Sequence, residues 1–92
     1  MGLDFEWDEA KAGQNFENPG VPFSEATTVF ADPLAITISD PDHQDESRFV
    51  DLGLSYLGRT LVVVFTQRGD TVRIISARRA TRRESVAYEE GP

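Results

Sequence analysis

The pattern of hydrophobic and polar residues predicts three strands in which the two kinds alternate. Hydrophobic residues recur at every second position in residues 3–7, 34–39 and 48–56, which is the period of a strand with one face towards a core. For residues 34–39 (LAITIS) we expect one buried face. In residues 48–56 the alternation places Val50, Leu52 and Leu54 on one face and Asp51 and Gly53 on the other.

Two further strands are predicted as a hairpin. The segments TLVVVFTQ (60–67) and TVRIISAR (71–78) flank the short connection Arg68-Gly69-Asp70, which is typical of a hairpin loop. The unbroken apolar run at residues 62–65 indicates a strand buried on both faces and therefore central. In the second strand, strict alternation puts Arg78 on the face of Val72, Ile74 and Ser76, and Arg73 on the face of Ile75 and Ala77.

Capping residues and helical spacing predict three helices. Asp8 is a suitable N-cap for a first helix that ends before residues 18–20, and a second short helix is expected from Ser24 until Asp32-Pro33 ends it. Thr81 and Glu84 have the spacing of a capping box, so a third helix is expected to continue to about residue 90 and to end at Gly91-Pro92.

These elements predict the α+β class, with a sheet of four to five mainly antiparallel strands, two N-terminal helices and one C-terminal helix. The 92 residues are expected to form a single domain, residues 1–92. The longest apolar run, Leu61 to Phe65, is far too short to span a bilayer, and the chain has no cysteine. We therefore expect a cytoplasmic protein without membrane contact.

The charges are distributed unevenly along the chain. The net charge is -7, of which residues 1–47 contribute -10 and residues 48–92 contribute +3. This asymmetry indicates a cationic face and an acidic face with different partners. A merely solvated acidic surface explains the first half equally well.

Arginines are concentrated near the C-terminus, since six of the eight lie between Arg68 and Arg83. Four of them, Arg78, Arg79, Arg82 and Arg83, straddle the end of a predicted strand and the start of a helix. Helix N-termini attract anions and guanidinium groups bind phosphates, so a phosphate site is one interpretation. Ion pairs with the carboxylates of residues 1–47 are the alternative. Because Arg48 continues the alternation of Val50, Leu52 and Leu54, Arg48 and Arg78 are expected to meet at one edge of the sheet.

The only histidine, His43, lies in the acidic segment DPDHQDE, residues 40–46. Its Asp-x-Asp start is typical of a calcium loop, but the required glycine and glutamate are replaced by Asp45 and Asp51. A solvated loop without a metal is therefore expected. An imidazole titrates near neutral pH, which makes His43 a candidate general acid or base. Lys11, the only lysine, is either paired with nearby carboxylates or a phosphate contact.

Four segments carry a family resemblance in combination. They read FEWDEAKAGQN, GVPFSEATTVFADPLA, DPDHQDESRF and LVVVFTQRGDTVRIISARRATRRESVAYE, and over nearly the whole chain they resemble the BrnT toxins of type II toxin-antitoxin pairs. The resemblance implies a compact RelE-like α+β fold, ribonuclease activity without a metal or other cofactor, and neutralisation by a BrnA-like antitoxin. Any contact with DNA would then be made through the antitoxin.

By position, the resemblance assigns the recurring polar residues of the family to Lys11, Asn15, Arg48, Arg68, Arg73, Arg78, Glu84 and Tyr88. In such a site arginines would hold the scissile phosphate and stabilise its charge while the ribose 2′-OH attacks. The candidate catalytic residues are Arg48, Arg78, Lys11 and His43. The candidate RNA-binding residues are Arg68, Arg73, Arg79, Arg82 and Arg83.

The chain departs from the family pattern at one point. Where many members have Lys-His-Gly, this chain has Asn18-Pro19-Gly20, so two side chains suited to proton transfer or phosphate contact are missing. Two functions follow: a ribonuclease toxin in which His43 or Lys11 supplies the missing role, or a weakened toxin-like protein that only binds a partner. The negative net charge favours the second, since RNA affinity comes largely from basic residues, and the retained arginines favour the first.

Overall fold

The computed structural model describes residues 2–17, 20–42 and 48–91. Its elements, in chain order, are β1 (Asp4–Glu6), α1 (Glu9–Glu17), α2 (Phe23–Ala26), a 3-10 helix (Thr27–Ala31), β2 (Ile36–Ser39), β3 (Arg48–Leu54), β4 (Thr60–Arg68), β5 (Thr71–Arg79) and α3 (Arg82–Glu90). The predicted α+β class is confirmed. The second helical segment begins at Phe23, one residue before the predicted start, and changes from α to 3-10 geometry after a single turn. Among the described residues, no helix combines the length and apolarity that crossing a membrane requires.

The five strands form one mixed sheet in the order β1-β5-β4-β3-β2. The pairs β2–β3, β3–β4 and β4–β5 are antiparallel, and only the edge pair β1–β5 is parallel. The central position predicted for the apolar run is confirmed, because β4 is the third of the five strands, and Val62 on one face and Val63 on the other are both buried. The hairpin is also confirmed, with Gly69 at φ +58° in the two-residue turn between β4 and β5.

One face of the sheet, called the inner face, packs against α2 and the 3-10 helix. It carries Leu61, Val63 and Phe65 of β4, all of which are buried. The ring of Phe30, from the 3-10 helix, meets those of Phe5 and Phe65 edge to face, with centroids 5.2 and 4.8 Å away. The opposite face, with Val62, Val64 and Thr66 of β4, is called the outer face. Burial of the inner face supplies the main stabilisation of the fold.

Three of the four hydrophobic residues of β3 point away from this core, and the fourth, Phe49, packs against it. Val50 and Leu52 lie on the outer face and are half-buried, and Leu54 on the same face is 41% exposed. Asp51 and Gly53, on the inner face, are buried. The Asp51 carboxylate accepts a hydrogen bond from the Thr37 hydroxyl, and burial raises the pKa of Asp51.

Gly53 explains why this face of β3 is the buried one. A Cβ at position 53 would lie 2.7 Å from Val29 Cγ1 and 3.0 Å from Ala35 Cβ, so a side chain there would push the 3-10 helix off the sheet. The absence of a side chain at Gly53 therefore allows the 3-10 helix to pack closely on this face of β3. The alternating hydrophobic residues Val50, Leu52 and Leu54 lie on the outer face instead.

The buried face predicted for residues 34–39 is wrong. β2 is an edge strand, and Ile38, which pairs with Val50 on the outer face, is 54% exposed. Leu34, in the turn before the strand, is 71% exposed. The alternation predicted the strand correctly, but its apolar residues lie on the face that α2 and the 3-10 helix leave uncovered.

The face predicted for Arg78 is also wrong, because β5 contains a bulge. Val64 pairs with Ser76 and the next residue, Phe65, pairs with Ile74, so Ile75 is an extra residue in β5. The alternation changes phase there, and the residues buried on the inner face are Val72, Ile74 and Ala77. Arg73 and Arg78, on either side of the bulge, consequently share the outer face.

A side-chain amide completes the edge of β5. β1 pairs only with residues 71–73 of that strand. Further along, Asn15 Nδ2 donates to the Ala77 carbonyl at 2.7 Å, and the Ala77 N–H donates to Asn15 Oδ1 at 3.2 Å. Asn15 Nδ2 also donates to the Val21 carbonyl at 2.8 Å. Asn15 therefore attaches α1 to the sheet by imitating the hydrogen bonding of a neighbouring strand.

Candidate active site

An open cavity of about 720 Å³ lies at one end of the outer face. Its charged lining residues come from β1, from α1 and the residue before it, and from β3, β4 and β5. They are Glu6, Asp8, Lys11, Arg48, Arg68 and Arg73. We call this cavity the cationic pocket, since it gathers four of the chain's nine cationic side chains.

Strand register brings the arginines of the pocket together. Arg48 of β3 and Arg73 of β5 both pair with Thr66 of β4, so the three residues form one row across the outer face. Arg68 lies two residues beyond Thr66 on the same face. With neighbouring strands about 4.8 Å apart, Arg48 and Arg73 stand roughly 10 Å apart at their Cα atoms, and their long side chains can reach one ligand between them.

Glu6 extends this row onto β1. It pairs with Arg73 in the parallel register, and Arg73 Nη1 donates to Glu6 Oε2 at 3.0 Å. The Glu6 side chain is 52% exposed and the Arg73 side chain 47%. The ion pair is therefore largely solvated and contributes no more than about 1 kcal/mol to stability.

Asp8 positions Lys11 at the pocket. As predicted, Asp8 caps the first helix: its Oδ1 accepts hydrogen bonds from the N–H groups of Ala10 and Lys11 at 2.9 and 3.3 Å. The cap fixes the first turn of α1, and Lys11 lines the pocket from this turn.

Arg78 does not line this cavity, and the expectation that it meets Arg48 is wrong. Because β3 and β5 are both antiparallel to β4, they run in the same direction. Arg48 begins β3 and Arg78 lies near the end of β5. Arg78 pairs with Val62, which pairs with Leu52, four residues beyond Arg48. The two arginines are therefore separated by roughly 13 Å along the sheet.

Arg78 instead binds Glu84. Its Nη1 and Nη2 donate to Glu84 Oε1 and Oε2, both at 2.8 Å. Glu84 also completes the predicted capping box, accepting from Thr81 N at 2.8 Å while its own N–H donates to Thr81 Oγ1 at 3.2 Å. Arg78, with the help of Thr81, holds the pKa of Glu84 at about 2, and the pair raises the pKa of Arg78.

Tyr88 makes a second polar contact between α3 and the rest of the molecule. Its hydroxyl donates to Asp32 Oδ2 at 2.5 Å, and the carboxylate also accepts from the N–H groups of Leu34 and Leu54, each at 2.9 Å. Burial acts to raise the pKa of Asp32, but these hydrogen bonds outweigh it and the pKa is lowered. Hydrogen bonding to Asp32, with burial, raises the pKa of Tyr88 to about 12.

The remaining candidates lie outside the cationic pocket or outside the described residues. Arg79, Arg82 and Arg83 are exposed at the end of β5 and in the first turn of α3. His43 and Asn18-Pro19 fall outside the residues that the structure describes.

One buried ion pair, between Glu25 and Arg59, was not predicted from the sequence. The Glu25 carboxylate is buried, accepts from Arg59 Nε at 2.9 Å and from Ser55 Oγ at 2.7 Å, and pairs with Arg59 Nη2. Arg59 is the main cause of the lowered pKa of Glu25. The signal in the sequence was helical spacing, because Glu25 lies four residues before Val29, which is buried.

Within the described parts of the chain, no three carboxylate or histidine side chains converge as a metal site would require. The groups that meet in the cationic pocket are guanidinium, ammonium, hydroxyl and carboxylate groups. Together they can bind a phosphate, polarise it and move a proton.

Comparisons with known proteins agree with this chemistry. The model of a family described as "Ribonuclease toxin, BrnT, of type II toxin-antitoxin system" matches residues 7–84. The fold is similar to a crystal structure of the Brucella abortus ribonuclease toxin BrnT, with a TM-score of 0.69 and 20% sequence identity over 87% of this chain and 99% of that one. Curated protein sequences give no match. The family match covers most of the chain, which therefore belongs to the BrnT family of ribonuclease toxins of type II toxin-antitoxin systems.

Proposed function

We propose that this chain is a toxin that cleaves RNA at the cationic pocket without a metal ion. The observation that carries the proposal is the row formed by Arg48, Thr66 and Arg73, with Arg68 and Lys11 beside it. These cations come from separate elements and converge on one cavity of the outer face. Such an arrangement fits a single phosphate of a polyanion, even in a chain with a net charge of -7.

The proposed chemistry is attack of the ribose 2′-OH on the adjacent phosphorus. Guanidinium forks from Arg48 and Arg73 bind the non-bridging oxygens, on which negative charge increases in the transition state. Lys11 adds a point charge, and Arg68 contacts the neighbouring phosphate. The pocket holds the nucleotide so that the 2′-oxygen faces the phosphorus, which removes much of the entropic cost of reaction.

The arginines outside the pocket have weaker support for a part in catalysis. Arg78 lies on the outer face, but both of its terminal nitrogens are engaged by Glu84, which favours a structural role. Its catalytic role stays a prediction, as does that of His43. We propose that Arg79, Arg82 and Arg83 bind the RNA backbone beyond the cleavage site, where exposed cations add salt-dependent affinity. The RelE-like classification also stays a prediction.

Membership of a type II toxin-antitoxin family implies an antitoxin partner, and we propose a BrnA-like one. Support comes from apolar side chains on the outer face, where Ile38 is 54% and Leu54 41% exposed beside half-buried Val50 and Leu52. This apolar surface is continuous with the cationic pocket through Arg48. An antitoxin segment with apolar and acidic side chains would cover both and exclude RNA. DNA is contacted only through the antitoxin, and the complex acts in the cytoplasm.

The same apolar surface favours a second function, partner binding without catalysis. In that case the chain binds its antitoxin but does not cut RNA, because Asn18-Pro19 replaces the Lys-His of many relatives.

One experiment separates the two functions: cleavage of total RNA by the purified chain in EDTA. We expect the wild type to cut, Arg48→Ala and Arg73→Ala to lose at least tenfold in rate, and Arg78→Ala to be affected mainly through stability. Gln67→Ala truncates an exposed side chain on β4 that does not line the pocket, and serves as the control. Cleavage only by an Asn18→Lys/Pro19→His variant would support partner binding without catalysis. Cleavage that requires added Mg²⁺ would contradict the metal-independent mechanism.

A further inference from the structure

The cationic pocket contains two carboxylates, Glu6 and Asp8. A carboxylate repels a phosphate and weakens the attraction of the cations around it. In a pocket that binds RNA, each carboxylate therefore needs a reason to be present.

Asp8 has a structural reason. Its Oδ1 accepts hydrogen bonds from the N–H groups of Ala10 and Lys11, which would otherwise lack partners at the start of α1. An N-cap of this kind typically contributes about 1 kcal/mol to stability.

Glu6 has no comparable structural reason. Its hydrogen bond within the described part of the chain comes from Arg73 Nη1, and both side chains are about half exposed. A solvated pair of this kind contributes roughly 0–1 kcal/mol. Stability therefore does not account for a negative charge at this position.

The position of Glu6 suits proton transfer. Parallel pairing with Arg73 sets Glu6 at the end of the row formed by Arg73, Thr66 and Arg48. A guanidinium group has five N–H donors, and Glu6 Oε2 occupies one of those of Arg73. The same guanidinium can thus orient the carboxylate and bind a phosphate oxygen, so that a nucleotide bound to Arg73 would have its ribose within reach of Glu6.

We propose that Glu6 is the general base of RNA cleavage, an inference that rests on the proposed ribonuclease function. The Glu6 carboxylate takes the proton of the 2′-OH as the 2′-oxygen forms its bond to phosphorus. The bond between phosphorus and the 5′-oxygen breaks, and the 5′-oxygen takes a proton from solvent. The products are a 2′,3′-cyclic phosphate and a 5′-hydroxyl end, and Glu6 returns its proton to solvent.

The test compares Glu6→Gln with the wild type. Glutamine keeps an oxygen that can accept from Arg73 but is too weak a base for the step. We expect kcat/KM on total RNA to fall by about 10²–10⁴-fold, the usual contribution of general base catalysis. Binding of a fluorescein-labelled 2′-O-methyl oligonucleotide, which cannot be cleaved, should be unchanged or tighter. Residual cleavage should rise about tenfold per pH unit, because hydroxide must then remove the proton.

Asp4→Asn is the matched control. Asp4 is exposed on the same strand and face as Glu6, two residues earlier, and does not line the pocket. The substitution removes one negative charge, so it should leave cleavage and its pH profile within about twofold of the wild type.

The outcomes separate this role from the proposed function. If the wild type cuts RNA and Glu6→Gln cuts within a few-fold of it, Glu6 is not the base. If Glu6→Gln loses activity together with oligonucleotide binding, Glu6 only positions Arg73 and the proposal is overturned. If Asp8→Asn loses cleavage while Glu6→Gln stays active, the general base is Asp8 and not Glu6. A wild type that cuts no RNA overturns the ribonuclease function and the role of Glu6 with it.

Discussion

The guanidinium of Arg78 binds the carboxylate of Glu84 through two hydrogen bonds of 2.8 Å, one from each terminal nitrogen. This contact joins the end of β5 to the first turn of α3. No residue from Arg82 to Glu90 is buried, so apolar packing contributes little to the position of α3. The helix is held chiefly by this pair and by the hydrogen bond from Tyr88 to Asp32.

The Arg78–Glu84 pair predicts a loss of stability in acid. The folded-state pKa of Glu84, about 2, lies below its ordinary value of 4.5. Its contribution is therefore complete above about pH 5 and is lost as the pH falls towards 2. At pH 7 we expect Glu84→Gln to destabilise the fold by roughly 0.5–1 kcal/mol, since both side chains are partly solvated. Urea unfolding midpoints at a series of pH values would show the difference from wild type shrinking below pH 5.

The control for this experiment is Glu89→Gln, an exposed position on the same helix. It should change the midpoint little at every pH. A gap between Glu84→Gln and wild type that stays constant down to pH 2 would contradict the assignment.

The Tyr88–Asp32 hydrogen bond predicts a loss of stability in alkali. The folded-state pKa of Tyr88, about 12, lies above its ordinary value of 10.0. Its contribution is complete below pH 10 and is lost as the pH rises through about 12. The difference in absorbance near 295 nm between wild type and Tyr88→Phe should report a phenol that ionises near pH 12. At pH 7 we expect Tyr88→Phe to cost about 1 kcal/mol.

Tyr56→Phe is the reference for that titration, since Tyr56 is 72% exposed. Ionisation of Tyr88 near pH 10 in the folded protein would show that the bond to Asp32 does not form in solution.

The Asn15 amide predicts a local effect at the edge of β5. Asn15→Ala leaves the Ala77 N–H and the carbonyls of Ala77 and Val21 without their partner. We expect a loss of about 1–3 kcal/mol in the free energy of unfolding, because these groups are partly buried. Hydrogen exchange at the Ala77 amide should accelerate more than exchange at the centre of β4. Gln14→Ala, an exposed neighbour on α1, should change neither quantity.

Local signals in the sequence predicted the elements that depend on local interactions. Gly69 predicted the hairpin, the run at residues 62–65 predicted the central strand, and Thr81 with Glu84 predicted the start of α3. These features rest on turn geometry, hydrophobic burial and capping, which involve residues close in sequence.

The cationic pocket could not be predicted in the same way. Its cations come from α1, β3, β4 and β5, and its row is extended by the parallel pairing of β1 with β5. That pairing joins residues 4–6 to residues 71–73, and no short-range pattern specifies it. The buried side of β3 was equally hidden, because it depends on the fit between Gly53 and Val29.

The extra residue in β5, Ile75, changes which positions of the strand point towards the interior. Before it, even-numbered positions such as Val72 and Ile74 belong to the hydrophobic interior; after it, the odd-numbered Ala77 does. Deleting Ile75 would join the two halves of β5 in one uninterrupted register with β4, with Ala77 still towards the interior and Arg78 still on the outer face beside Glu84. The bulge thus keeps the second half of β5 facing the correct way: the same sequence paired with β4 without a bulge would place Arg78 towards the interior and Ala77 towards solvent.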